Sequence, residues 1–326
     1  MSIPDDLARR LTLPLIAAPM FLVSGVDLVA AACAAGVVGS FPTVNCRSVE
    51  ELDAWMSEMR RRIAEAEGES GRAAAPICPN LLVHPSNTRR DADVAALARH
   101  RVELVIASVG NPKPVVAPLR DIGCKVFADV ASLRHVEKCL EAGVDGLILL
   151  TAGAGGQTGQ ANPFAFARAA RAMFDGPIVL AGGVSDGHAL YAARALGCDL
   201  AYMGTRFIAT RESMAKPAYK EMLVSSRLDD VLLSRAFTGL ETNMLRPSIV
   251  AAGLDPDALP ARGAIDVAKD IDRGARERAE ASGARRWTDI WSAGHSVSGV
   301  TDVPSVAQLV ARTRDEYDAA RAAASR

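Results

Sequence analysis

The chain has little of several things that would point to particular partners. Aromatic residues make up only 5% of its 326 residues, while alanine is abundant, so its helices are expected to pack closely. Neither sign of charge dominates: 37 Lys and Arg face 38 Asp and Glu, for a formal charge of −1. That balance leaves no basic footprint for nucleic acid and no polybasic patch for a membrane surface. No apolar run approaches the ~18 residues of a membrane span, and the N-terminus has no signal-peptide pattern. The six cysteines (33, 46, 78, 124, 139 and 198) include no CxxC pair and no metal-ligand spacing. Five of them lie in apolar or helix-like surroundings, as buried reduced thiols do. The expectation is a soluble cytoplasmic enzyme with a small-molecule substrate, no metal, and no nucleic-acid or membrane partner.

Hydrophobic residues form 49% of the chain, enough for a sizeable core in one large domain or two smaller ones. Short apolar runs alternate with helical patterns, which predicts βαβ units and a parallel sheet. Strands are expected at 13–20, 37–43, 76–83, 102–110, 124–132, 145–153, 177–183 and 199–207. Helix-stop glycines recur before them at Gly36, Gly123, Gly143, Gly176 and Gly197. Eight such units favour an α/β fold of the (β/α)8 TIM-barrel kind over an open doubly wound sheet. After the eighth strand the pattern breaks. Residues 208–300 read as a mostly helical lid or substrate domain inserted over the barrel mouth. They include the charged run DIDRGARERAEASGARR. Residues 1–207 and 301–326 would form the barrel. DVPSVAQLVARTRDEYDAARAAA then reads as a closing helix, with Asp302 as N-cap and Pro304 in its first turn.

Two glycine-rich loops are candidates for chemistry. TAGAGGQTG (151–159) follows the sixth strand, but Thr158 occupies the third position of a GxGxxG fingerprint, so the dinucleotide reading is weak. A loop with so few side chains still lets its backbone approach a flat ligand closely. AGGVSDG (181–187) and MGTRF (203–207) end the last two strands, where barrels often bind phosphate on backbone N–H groups. Gly182, Gly183, Gly204 and Thr205 are thus the candidate phosphate cradle, the alternative being tight βα turns and nothing more.

IAAPM, PNL, AGAGGQTG, AGGVSDGHALYAARALGCDLAYMGTRF and WSAGHSVSGVTDVPSVAQLV occur in this order along nearly the whole chain. Together they resemble the nitronate monooxygenase (2-nitropropane dioxygenase-like) family, itself related to flavin-dependent enoyl-thioester reductases. The resemblance implies an FMN-binding TIM barrel with a late lid. It puts the FMN phosphate on Gly182, Gly183, Gly204 and Thr205. It puts the ring near Ala18, Pro19, Met20, Asn80 and Lys125, and near the loop Ala152, Gly153, Ala154, Gly155, Gly156. Met20 and Asn80 fall at C-terminal strand ends, where barrel sites are built. Asn80 offers both a donor and an acceptor to an imide edge. Lys125 would stabilise an anionic reduced ring if it reached it; otherwise it is a solvated lysine early in its strand. Asp129, four residues on, would pair with that lysine or act as a capping residue.

The chain departs from the family at Gln157, where the family's AGGH loop carries its catalytic base. Glutamine cannot take up a proton at neutral pH and can only orient a substrate. An anionic nitronate needs no base, whereas a neutral nitroalkane does. Of the five histidines, His100, His135 and His188 fall in helical stretches, and His84 follows the third strand. His295 lies in WSAGHSVSG, where relatives often carry glutamine, and is expected to be the titratable group facing the flavin, with Gln157 opposite. Arg206 has two readings, a phosphate contact or an ion pair to the lid, while Arg246 is expected to be structural. The leading expectation is oxidation of alkyl nitronates by O2. A flavin-dependent NAD(P)H reductase of enoyl or acyl thioesters or quinones is the alternative, and a non-catalytic phosphate-ligand binder the third. A homodimer is compatible with all three.

Overall fold

The computed structural model describes residues 3–259 and 289–325. The charged run at 270–286 lies outside them. Eight parallel strands close into a barrel in the order β1 (Leu15–Ala17), β2 (Val38–Pro42), β3 (Ile77–Leu82), β4 (Leu104–Ser108), β5 (Lys125–Val130), β6 (Gly146–Leu150), β8 (Ile178–Ala181), β9 (Leu200–Met203). β1 pairs with both β2 and β9, which closes the ring and removes the sheet edges. The eight expected strands are all present, each shorter than its apolar run.

Side-chain alternation divides the core into two layers. Ile16, Val38, Cys78, Ile106, Phe127, Ile148, Val179 and Leu200 fill the barrel interior. The opposite faces of the same strands, such as Leu15, Phe41, Leu81 and Leu147, pack against the helices outside. Local signals set the helix limits. In α6 (Leu133–Ala142), Ser132 accepts from the His135 N–H and Gly143 ends the helix at φ +80°. Gly36, Gly123 and Gly197 take the same left-handed conformation, but Gly176 does not, because α7 (Pro163–Met173) already ends in extended backbone at Phe174. The closing helix, α12 (Val306–Ala324), starts three residues later than expected. Its N-cap is Ser305, which forms a reciprocal capping box with Gln308. Asp302 instead pairs with Arg312 at 2.8 Å. Gly187, at the start of α8 (Gly187–Ala195), lets α12 approach: a Cβ there would lie 2.2 Å from the Tyr317 nitrogen.

The described part of the expected insertion is mixed rather than mostly helical. It holds α10 (Pro217–Ser225), α11 (Arg246–Ala251) and two strands, β10 (Val231–Ser234) and β11 (Thr242–Leu245). These strands join β7 (Gly156–Gln157) in an antiparallel sheet of order β10-β11-β7. The loop after β6 is therefore stitched to the later segment by backbone pairing, with Thr242 opposite Gln157 and Asn243 opposite Gly156.

Candidate functional site

A cavity of about 410 Å³ opens at the C-terminal ends of the barrel strands, within the range of cofactor and small-molecule sites (~300–1,000 Å³). Its floor is the uppermost inward layer of the barrel, which includes Asn80 from β3, Ser108 from β4, Asp129 from β5 and Tyr202 from β9. Asn80 donates to Ser108 Oγ at 2.9 Å. The walls are apolar: Val44, Leu82 and Val109 on one side, Leu240, Ile290 and Trp291 on another. Leu22 and Val109, both lining residues, sit at φ +58° and +54°. Such backbones cost on the order of 1 kcal/mol or more and concentrate at ligand sites.

One flank of the cavity is a cradle of backbone donors. Gly182 and Gly183 follow β8 at φ +123° and +74°, and a Cβ on Gly183 would meet open space. Gly204 and Thr205 follow β9 and open the short helix α9 (Thr205–Ile208). The N–H groups of these four residues find no protein acceptor among the described residues. Unclaimed N–H groups at two adjacent strand ends suit an anionic oxygen group. Thr205 also anchors the opposite loop, its Oγ1 accepting from the Gly294 N–H at 2.9 Å.

The loop Thr151–Gly159 is held rigidly. Thr151 donates to the Ala181 carbonyl at 2.8 Å, Thr158 donates to the Thr151 carbonyl at 2.8 Å, and Asn243 Nδ2 donates to the Ala154 carbonyl at 2.7 Å. Its glycines serve protein contacts first. A Cβ on Gly155 would lie 2.6 Å from the Gly294 nitrogen, and one on Gly294 would lie 2.5 Å from the Gly153 carbonyl oxygen. Backbone-to-backbone approach between residues 153–155 and 293–294 is what excludes side chains here.

Ala18, Pro19, Met20, Asn80, Gly153, Gly155, Gly156 and Gln157 all line the cavity, as do Gly182, Gly183, Gly204 and Thr205. Three expected site residues do not. Lys125 is the first residue of β5, pairs with Asp145 at 3.2 Å and is 54% exposed. At about 3.3 Å per residue it lies roughly 13 Å from Asp129 along the strand, which rules out both the ring contact and the pairing with Asp129. Ala152 points its N–H at the Ala161 carbonyl, 2.8 Å away, and lies outside the cavity lining. His295 also lies outside that lining. Its N–H donates to the Gly153 carbonyl at 2.9 Å, and its ring fills the space a Gly153 Cβ would need, 2.8 Å from Nδ1. The histidine buttresses the loop from behind and does not face the cavity.

Arg206 is buried and donates through Nη1 to the Gly299 carbonyl. Burial pulls its pKa below the usual arginine value. Arg246 pairs with Asp257 at 3.0 Å, a structural role. His100 pairs with Asp53 at 3.0 Å, and His84 Nδ1 contacts Ser86 Oγ at 2.7 Å. All six cysteines are buried and none is in a disulfide, one more than the five expected to be buried thiols.

Two floor residues were not read as site residues from the sequence. Asp129 has an Oδ1 with neither accessible surface nor hydrogen-bond partner among the described residues, and the Tyr202 hydroxyl is in the same condition. Burial pushes the Asp129 carboxyl up to about 7 and the Tyr202 phenol well above its usual value. The available signal was strand parity: Lys125, Phe127 and Asp129 share the inward face of β5, and Asp129 lies at its C-terminal end.

A closed (β/α)8 barrel with a cavity at the C-terminal strand ends and glycine-rich ends on β8 and β9 has the layout of barrel enzymes that act on small molecules, and the fold alone leaves the chemistry open. Among these it can be placed further. Residues 7–315 match the nitronate monooxygenase family, and the chain belongs to that family. It is 26% identical to a nitronate monooxygenase of Paraburkholderia phytofirmans, across 93% of this chain and 92% of that one. It is also 26% identical to an indene-carboxyl-CoA dehydrogenase of Rhodococcus jostii, across 73% of this chain and 64% of that one. The fold matches nitroalkane oxidase from Streptomyces ansochromogenes with a TM-score of 0.78 at 24% identity, covering 98% of this chain and 99% of that one. FabK from Thermotoga maritima matches with a TM-score of 0.77 at 24% identity, covering 98% and 97%. The chain is thus an enzyme, an oxidoreductase of the nitronate monooxygenase type, in a family of flavoproteins.

Proposed function

We propose that the flavin is FMN and that the substrate oxidised is an anionic alkyl nitronate, with O2 as the final acceptor. The observation that carries this is the set of unclaimed N–H groups on Gly182, Gly183, Gly204 and Thr205, opening into the same cavity as the polar floor. A terminal phosphate fits such donors, and a single phosphate suits a cradle built from only two strand ends. The bound ring supplies the electron acceptor for the nitronate and the route from it to O2.

The chain's own residues bind, orient and exclude water. Gln157 presents an amide at the mouth, able to donate to a nitro-group oxygen but not to remove a proton. Its position is fixed by the β7–β11 pairing. Tyr219 stacks on Trp291 with centroids 5.0 Å apart and donates its hydroxyl to the Ser292 carbonyl, giving the wall above the floor a rigid aromatic face. Lys216, which lines the cavity, pairs with Asp289 at 3.1 Å. With Gln157 in place of a base, a pre-ionised nitronate is favoured over its neutral nitroalkane. Residues 1–207 and 301–326 act as the FMN-binding unit, and 208–300 as the substrate-facing one.

The test is anaerobic mixing of the purified yellow protein with an alkyl nitronate, with the matching neutral nitroalkane, and with NADH or NADPH. Loss of oxidised-flavin absorbance with the nitronate, restored by O2, is expected. Rapid bleaching by a pyridine nucleotide with no response to nitronate would replace this reading with the thioester or quinone reductase.

A further inference from the structure

Among the described residues, four titratable side chains line the cavity: Asp129, Tyr202, Lys216 and Tyr219. Lys216 is ion-paired with Asp289 and the Tyr219 hydroxyl is committed to the Ser292 carbonyl. Tyr202 has an unpartnered hydroxyl, but burial moves its ionisation away from neutrality. That leaves Asp129. Its Oδ1 is sealed from solvent without a partner, although the residue is partly accessible from the cavity.

The groups that face Asp129 do not compensate its charge. Across the barrel they are Cys78 on β3 and Tyr202 on β9; from outside, Cys139 on α6 is within electrostatic reach. All three are pushed towards their neutral forms, and Lys125 is at the other end of the strand. β4 and β6, the strands flanking β5, contribute Ser108 and only apolar residues to this region. Among the described residues, a carboxylate here would have neither a counter-charge nor a hydrogen bond for one of its oxygens. Such a carboxyl keeps its proton to unusually high pH.

We propose that Asp129 is the proton-holding residue of the cavity floor, and that reduction of the flavin seated over that floor is coupled to proton uptake at its carboxyl. The inference rests on the flavin reading above. When the ring accepts two electrons from the substrate, negative charge develops on it. An ionised Asp129 nearby is then driven to take one proton from solvent, forming its O–H bond; nothing besides the substrate is oxidised. Below its pKa Asp129 is neutral in both redox states and adds no coupling. Between that value and the higher one it takes beside the reduced ring, each reduction carries up to one proton more than the ring alone requires.

The experiment uses the flavin-loaded protein and Asp129→Asn, an isosteric side chain that is neutral at every pH. The visible spectrum first reports whether flavin is bound. Midpoint potentials are then measured by dye equilibration from roughly pH 5.5 to 8.5, a range that brackets the Asp129 titration. The wild type is expected to fall more steeply above pH ~7 than the variant, by about 30 mV per pH unit for one added proton in a two-electron couple. Parallel slopes would overturn the coupling. Infrared spectroscopy of the wild type provides a second measurement, independent of the variant's folding. A protonated-carboxyl band that disappears around neutral pH supports the proposal, and one already gone at pH 5 overturns it. A colourless protein would instead overturn the flavin reading, and with it the coupling, while the infrared titration still reports the carboxyl.

Discussion

One methyl group added to Gly294 would sit 2.5 Å from the Gly153 carbonyl oxygen and 2.7 Å from the Gly155 nitrogen. Both are backbone atoms of the platform beneath Gln157, so relief requires the two loops to separate. Gly294→Ala is therefore expected to lower flavin occupancy and to destabilise the protein by about 1–3 kcal/mol, read from flavin absorbance per chain and from urea midpoints. Lys125 provides the opposite case. Its ion pair with Asp145 is at the N-terminal rim and largely solvated, where such pairs contribute less than about 1 kcal/mol. Lys125→Ala should leave flavin content and turnover at wild-type levels, and a large loss of either would return the lysine to the site. These residues show how family resemblance can succeed in kind and fail in address. The candidate cradle glycines are tied to strand ends, and they line the cavity. The lysine was matched by its strand alone, and a strand has two ends.

At the scale of elements, the platform depends on β11. Asn243 Nδ2 reaches the buried Ala154 carbonyl at 2.7 Å, and Asn243→Ala would leave that oxygen unpaired at a cost of about 1–3 kcal/mol. The loss should appear more strongly as weakened flavin retention on dialysis than as altered substrate preference, because the contact orients backbone and not the Gln157 amide. Ser305→Ala removes one arm of the α12 capping box, and a loss of about 1 kcal/mol in urea unfolding is expected with no effect on flavin retention. The barrel was legible in the sequence because each strand is a short apolar run beside a helical pattern, several of them just after a glycine, all local features. The three-stranded sheet was not. β7 is two residues long, and its partner lies more than eighty residues later, so neither shows a period of its own. Within the site, the glycine-rich ends of β8 and β9 could be read. The packing of His295 against Gly153 could not, because its loop carries no periodic pattern from which direction can be inferred.

For the molecule as a whole, the buried carboxyl ties stability to pH in a definite sense. The ordinary value for Asp is 3.8 and in the fold Asp129 is pushed up to about 7, so the native state binds the proton more tightly than the unfolded chain does. The group's favourable contribution is fully present below pH ~4 and is lost as pH rises through about 7. Most other shifted carboxylates act in the opposite sense and at lower pH. Glu58, Asp53, Asp91 and Asp302 are held below their usual range by arginines, and their contributions fade only in acid. The two trends together place maximal stability on the acidic side of neutrality. Between pH ~5 and ~8 the wild type should weaken by up to a few kcal/mol, at about 1.4 kcal/mol per unit of pKa difference. Asp129→Asn should be nearly flat across that window and more stable than wild type at its alkaline end. Urea unfolding at a series of pH values, with and without bound flavin, measures this directly. A wild type that gains stability from pH 5 to 8 would show that the Asp129 carboxyl is ionised in the folded barrel. It would then have to find a partner that the floor does not offer in this structure.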